Sequence, residues 1–167
     1  TIYKINIDTS GVFGTKVGYE VIQTIKIKDR DGDPITGLPN PIKVATIEKA
    51  YDNKGNFIKF DPEGIDPEAI VKTSNGNFWI AEEYAPSLVH ISKDGRILER
   101  IVPKGMASDL SRANYQVIDG LPAILKKRQL NRGIKSLAIS PDENYLYFAV
   151  QNPLANPNLN AYNTSRY

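Results

Sequence analysis

The side chains of this chain that could do chemistry are mostly carboxylates. Asp61, Glu63, Asp66 and Glu68 crowd one short stretch, and the adjacent pair Glu82 and Glu83 follows. Hard oxygen donors of this kind suit calcium or magnesium. A divalent ion held by them would polarise a phosphoryl oxygen and activate water. Glu63, Glu68 and Glu83 are the candidate metal ligands, with calcium the first choice of ion, and Glu68 and Glu83 are also the candidate catalytic carboxylates. The competing reading is a set of strand-end and turn carboxylates on a solvated surface. Glu82 and Glu83 cannot both serve one site from a strand, because successive side chains point to opposite faces.

A second constellation is basic. Lys126, Lys127, Arg128 and Arg132 lie within seven positions, beside Asn131. Arginine forks match phosphate oxygens bidentately. Lys127, Arg128 and Arg132 are therefore candidate substrate-binding residues, and Asn131 a catalytic or orienting amide that could equally cap a turn. The alternative is a solvated helix face. Acidic and basic groups together suggest a small anionic substrate.

Other chemistries are excluded or disfavoured. The chain has no cysteine, so disulfides, zinc–thiolate sites, iron–sulfur clusters and thiol nucleophiles are ruled out. His90 is the only histidine, and no G-x-S-x-G elbow is present, which disfavours a serine triad. Asp29 to Asp33 carries Gly at its fourth position and Asn40 at its twelfth, so it reads as a turn and not as an EF-hand loop. Trp79, Phe78 and Tyr84 read first as core. Asn163-Thr164-Ser165 is a glycosylation sequon, relevant in a eukaryotic secreted protein. Lys plus Arg number 21 against 19 Asp plus Glu, and a net charge of +2 argues against a nucleic-acid partner. No run of 18 apolar residues exists, so no transmembrane helix is expected.

The elements that must position these groups read as strands. Eleven Pro and 12 Gly punctuate short apolar runs, an all-β pattern. Strands are expected at Thr1 to Asp8 and Tyr19 to Lys28, with a turn from Gly11 to Gly18, and shorter ones near Val44 to Ala50 and Phe57 to Phe60. Four more follow: Glu68 to Lys72, Phe78 to Glu82, Leu88 to Ser92 and Arg96 to Val102. Their turns, Ser74-Asn75-Gly76-Asn77 and Lys93-Asp94-Gly95, are hairpin turns. Four short antiparallel strands in this span have the size of one propeller blade. Leu121 to Leu130 has helical spacing with Pro122 in its first turn, and is expected to be a short helical insertion.

The unit recurs 67 positions on. Glu68 aligns with Lys135, Ile70 with Leu137, Phe78 with Tyr145, Trp79 with Leu146 and Ile80 with Tyr147; Asn75-Gly76-Asn77 aligns with Asp142-Glu143-Asn144. The second copy has only two of its four strands. Two to three blades cannot close a ring and would leave open edges. The chain is thus expected to be part of a longer protein, with the rest of the ring supplied by a continuation or a companion chain. A start at Thr1 without an initiator Met fits a processed or truncated product.

These residues resemble a known family. FDPEGIDPEAIVKTSNGNFWIAEEYAPSLVHISKDGRIL (Phe60 to Leu98) and LPAILKKRQLNRGIKSLAISPDENYLYFAVQNPL (Leu121 to Leu154) are similar to the two signatures of the phytase-like family, also called esterase-like activity of phytase. ITGLPNP (Ile35 to Pro41) fits the loop before them. The resemblance implies that residues 1–167 are part of a single β-propeller domain, exported to a periplasmic, extracellular or lumenal space, with phosphoester or ester hydrolase activity. Two departures stand out. Ala85 replaces a glycine after the EEY tripeptide, and Lys135 replaces an acidic residue that follows NRG and one apolar residue. The expected function is metal-assisted hydrolysis of a phosphomonoester. The alternatives are a non-enzymatic propeller scaffold, and a metal-dependent lactonase or esterase of the gluconolactonase type.

Overall fold

In a computed structural model, residues 1–8 and 18–165 are described, and they form an all-β chain. The turn expected from Gly11 to Gly18 lies outside them except for Gly18. β1 (Ile2–Asp8) and β2 (Gly18–Ile25) pair as an antiparallel hairpin, β2 ending three residues before the expected Lys28. β3 (Ala50–Tyr51) and β4 (Phe57–Ile58) form a minimal hairpin. The strand expected over Val44 to Ala50 is absent except at Ala50. Instead Thr46 gives its hydroxyl to the Arg128 carbonyl, and Val44 and Ile47 pack on a cluster around Met106 and Leu110. Tertiary contacts here override β-propensity.

The central sheet has the order β5 (Pro67–Lys72), β6 (Phe78–Glu82), β7 (Ser87–Ile91), β8 (Ile97–Pro103), β9 (Gln116–Leu121). The first four strands are antiparallel neighbours, as their hairpin turns dictate. β9 pairs parallel to β8, reached through a crossover carrying the 3-10 helix Ala107–Leu110. The expected helix over 121–130 contracts to a 3-10 helix at Ala123–Lys127, and Leu121 is the last residue of β9.

Alternation along β6 builds two cores. Phe78 and Ile80 join Val89, Ile91, Ile97 and Tyr115 on one face, with Ile25 and Ile27 at the end of the first hairpin. Ala81 faces the other way, with Leu88, Leu121, Leu125 and Ile134. On this second face lies the next hairpin, β10 (Ile134–Ile139) and β11 (Leu146–Val150), whose Leu137, Leu146 and Phe148 complete the packing. β5 and β10 thus begin sixty-seven positions apart, the offset read from sequence. Their turns match in conformation. Gly76 has φ +90, and Glu143, at the matching place, has φ +58, a left-handed backbone that a non-glycine residue rarely takes. The Glu143 carboxylate also accepts the Ser74 N–H at 2.6 Å and the Ser74 hydroxyl at 3.1 Å, so one turn clasps the other. A six-residue helix, α1 (Leu159–Thr164), closes the described chain, its first turn capped by the Asn158 side chain. Among the described residues no helix is long and apolar enough to cross a membrane.

The strand ends are bolted together by one buried ion pair. Glu82 and Arg100 are both fully buried, 2.8 Å apart. Arg100 also donates to Ser87 Oγ, the Gly64 carbonyl and Asn40 Oδ1 at 2.9–3.1 Å. Asn40 in turn holds the Asp61 and Gly64 carbonyls. Glu82 Oε1 accepts the backbone N–H groups of Asp66 and Tyr84. Three loops and three strands therefore converge on two charges. Removing one member of such a pair leaves an uncompensated buried charge. Arg100→Met is expected to lower unfolding stability by about 3–5 kcal/mol, read by denaturant titration of the intact protein. A loss below about 1 kcal/mol would show that the pair is not the anchor described.

Candidate functional site

At the end of β5 and β6 facing β10, three carboxylates come together. Asp66, Glu68 and Glu83 each place an oxygen within 4.8 Å of the others. Their elements explain the convergence. Asp66 and Glu83 are tied through the backbone, Glu83 N–H to Asp66 carbonyl at 3.2 Å. Both also flank groups that bind Glu82, so the buried ion pair sets their position. Alternation sends Glu82 into that pair and Glu83 into the cluster. Glu68 sits at a bulge, because Pro67 pairs with Glu82 and Ala69 with Ala81, which leaves Glu68 without a ladder partner. Bulges re-aim side chains.

The fourth member is Lys135. Its ammonium lies 2.6 Å from Glu68 Oε1 and 2.9 Å from Glu83 Oε1. Lys135 occupies the corresponding bulge of β10, between the Ile134–Val150 and Ser136–Ala149 pairs. The two residues aligned in the sequence repeat are thus the two that meet in space. Gly133 permits the approach: a Cβ there would lie 2.3 Å from the Glu83 carbonyl oxygen and 2.7 Å from its Cα.

The site is electrostatically loaded. Burial, then the charges of Glu68 and Glu83, push the Asp66 carboxyl above its usual range, with Lys135 opposing. Burial disfavours the Lys135 ammonium, but the ion-pair contacts with Glu68 and Glu83 outweigh it and hold the amine charged to higher pH than usual. Burial, then Asp66, Glu48, Glu82 and Glu83, push up the phenol of neighbouring Tyr84.

The other residues singled out from sequence fall elsewhere. Glu63 is not in the cluster. Its carboxylate accepts the Asn114 N–H, and its surroundings are Asp29, Asp61 and Asp33. Asp29 makes a side-chain turn, accepting the N–H groups of Asp31, Gly32 and Asp33 at 2.8–3.0 Å. Arg128 is buried. It forks onto Glu48 at 2.7 and 2.6 Å, and also binds the Tyr84 and Gln129 carbonyls. All five of its N–H groups are thereby engaged, which leaves no donor for a phosphate. It clamps the residue after Glu83, and so supports the cluster from behind. Asn131 donates its N–H to the same Glu48 at 2.9 Å and has φ +54, a turn position. Arg132 binds the Asn131 carbonyl, and Lys127 binds Asn156 Oδ1. Lys126 and Lys127 line an open cavity of about 550 Å³ with Lys43 and Leu159. His90 stacks on Trp79, ring centroids 4.4 Å apart, with Glu99 at 3.4 Å. In the sequence Asp66 is one of six carboxylates, and Lys135 stands out as a departure from the family pattern and as the repeat partner of Glu68. The repeat offset, which set Lys135 beside Glu68, was the signal for it.

Three hard oxygen donors, one buried, are a fitting start for a calcium site, which takes 6–8 oxygens. The fit carries one qualification built into the chain, the ammonium already lodged between two of the donors.

A five-stranded sheet, a hairpin that repeats its first two strands, and a carboxylate–lysine cluster between the two define a repeat-containing all-β chain with a polar site. The chain belongs to the phytase-like family, described as esterase-like activity of phytase, whose family model matches residues 1–167. It is similar to an uncharacterized secreted protein of Arthroderma benhamiae, 27% identical over 165 residues. That match covers 82% of this chain and 31% of the fungal protein, so the chain spans about a third of its relative's length. No solved structure matches it.

Two outcomes test this geometry. Gly133→Ala is expected to push β10 off Glu83 and lower stability by about 1–3 kcal/mol, read by denaturant titration. An unchanged stability would mean that the close approach is not rigid. Asp66 supplies the second. Its folded-state pKa is raised above the unfolded value of about 3.9, so the folded chain binds the extra proton in that window and loses stability as pH rises through it. Asp66→Asn is therefore expected to raise Tm at neutral pH, with the gain vanishing as pH falls below the carboxylate range. A lower Tm at neutral pH would contradict the repulsion described.

Proposed function

We propose that this chain is part of an exported phytase-like β-propeller that hydrolyses small phosphomonoesters at the Asp66–Glu68–Glu83–Lys135 centre. The observation that carries the reading is the convergence of three carboxylates and an ammonium from two successive repeats. Family membership and the secreted relative support it. The open apolar faces fit a ring whose other repeats cover them: Tyr3, Ile7 and Tyr19 on the first hairpin, and Tyr145 and Tyr147 beside the last, are all more than half exposed.

Asp66, Glu68 and Glu83 would hold a divalent cation, calcium first, which would supply Lewis-acid polarisation of a phosphoryl oxygen. Glu68, a quarter exposed, is the carboxylate that can reach a water and take its proton. Lys135, 28% exposed, reaches solvent and can meet phosphoryl charge. Buried Glu83 sets the depth of the site.

The test is phosphate release from a phosphomonoester panel that includes phytate, by the full-length protein with calcium and then with chelator. Calcium-dependent release is expected, reduced about 100-fold or more by Glu68→Gln, the scale of one general base. No release under any divalent metal from folded protein would remove the phosphatase reading. Weight would then move to the scaffold and to ester or lactone hydrolysis.

A further inference from the structure

We infer that Lys135 is a tethered, displaceable counter-ion: its ammonium occupies the cation position of the Asp66–Glu68–Glu83 cluster, and a divalent cation enters by expelling it. The inference rests on the proposed reading of this cluster as the working site, and adds how the site is switched.

Position supplies the first argument. The Lys135 ammonium touches two of the three donor carboxylates at 2.6 and 2.9 Å. Calcium sits about 2.3–2.6 Å from its oxygens, so the two cations cannot share Glu68 Oε1 and Glu83 Oε1. Binding of one is release of the other.

Incomplete satisfaction supplies the second. Glu83 is 1% exposed, and among the described residues its Oε1 is the buried side-chain polar atom that receives no well-formed hydrogen bond. Lys135 Nζ stands at ion-pair distance, 2.9 Å. A buried acceptor left in this state is costly, and a cation of higher charge relieves it. Charge points the same way. Against the negative charge of the three carboxylates the ammonium sets one positive charge and a divalent ion sets two.

The contrast with Arg100 supplies the third. Arg100 is fully buried and fixed by its fork to Glu82, Ser87, Asn40 and Gly64, so it cannot leave. Lys135 is a point charge on a flexible stem, more than a quarter exposed, with solvent to move into. Its freed amine would lie at the rim of the site, where an anionic substrate enters.

Calcium alone, added to chelator-treated full-length protein, tests this without turnover. Calorimetry is expected to show calcium binding about ten-fold or more tighter to Lys135→Met than to the wild type, since the competitor is gone. In the wild type, mild acylation read by mass spectrometry is expected to modify Lys135 several-fold faster with calcium than with chelator, while exposed Lys54 stays constant. The labelling arm needs no variant, so it stands if Lys135→Met does not fold. Equal calcium affinities, unchanged labelling of Lys135, or no calcium binding by either protein would each overturn the inference. Exchange without phosphate release would sink the hydrolase reading alone, and phosphate release without exchange would sink this one alone.

Discussion

The buried Glu82–Arg100 pair is the constraint on which the rest of the structure depends. Two full charges without solvent are tolerated only when geometry satisfies nearly every donor and acceptor. Here that requirement recruits Asn40, Ser87, the Gly64 carbonyl and the N–H groups of Asp66 and Tyr84. Meeting it fixes the loop before β5 against the loop after β6. The outward-facing neighbours of those same backbone groups are Asp66 and Glu83. A structural ion pair and a polar site are therefore two faces of one strand end, separated by the alternation of a single peptide unit.

The repeat adds the second half of the site. A bulge at the first strand of each copy withdraws one residue from the ladder and turns it toward the neighbouring copy. Glu68 and Lys135 are those residues, and they differ in sign. Like charges at these positions would repel across the interface between copies. Unlike charges pin it, with Gly133 allowing the backbones to meet and Glu143 clasping Ser74 at the opposite end of the hairpin. The interface between repeats is thus closed at both ends by polar contacts and filled between them by Ala81, Leu88, Ile134 and Leu137.

The features legible in sequence were those governed by local rules. Alternation and Gly- or Asn-bearing turns located β1, β2, β4 to β8 and the second copy. The offset that aligned Glu68 with Lys135 described a spatial contact. What local rules could not supply was non-local pairing. β9 is held parallel to β8 by a register with no hairpin turn to announce it, and the helical spacing of Leu121 to Leu130 reflected a strand end followed by a single 3-10 turn with only Leu121 and Leu125 turned to the core. The stretch from Val44 lost its strand to contacts distant in sequence. Arg128 read as a free fork because Glu48, 80 positions away, gives no local sign that it will consume that fork. Glu63 and Glu68 are close in sequence but diverge, because the intervening backbone is bound to Asn40 and Glu82.

Charge balance links these observations to chemistry. A cluster of three carboxylates repels a phosphate dianion, so phosphoryl transfer there requires positive charge beyond what one lysine provides. The fold supplies that lysine on a flexible stem more than a quarter exposed, while Arg100, fully buried, is immobilised in the scaffold. Division of labour between the two cations follows from side-chain chemistry. A planar fork suits a fixed, fully satisfied pair, and a single ammonium on a flexible stem suits a position that must be both filled and vacated. The repulsion that Glu68 and Glu83 exert on Asp66 is a stored electrostatic cost: it weakens the fold at neutral pH, and a cation placed among the three carboxylates would relieve it.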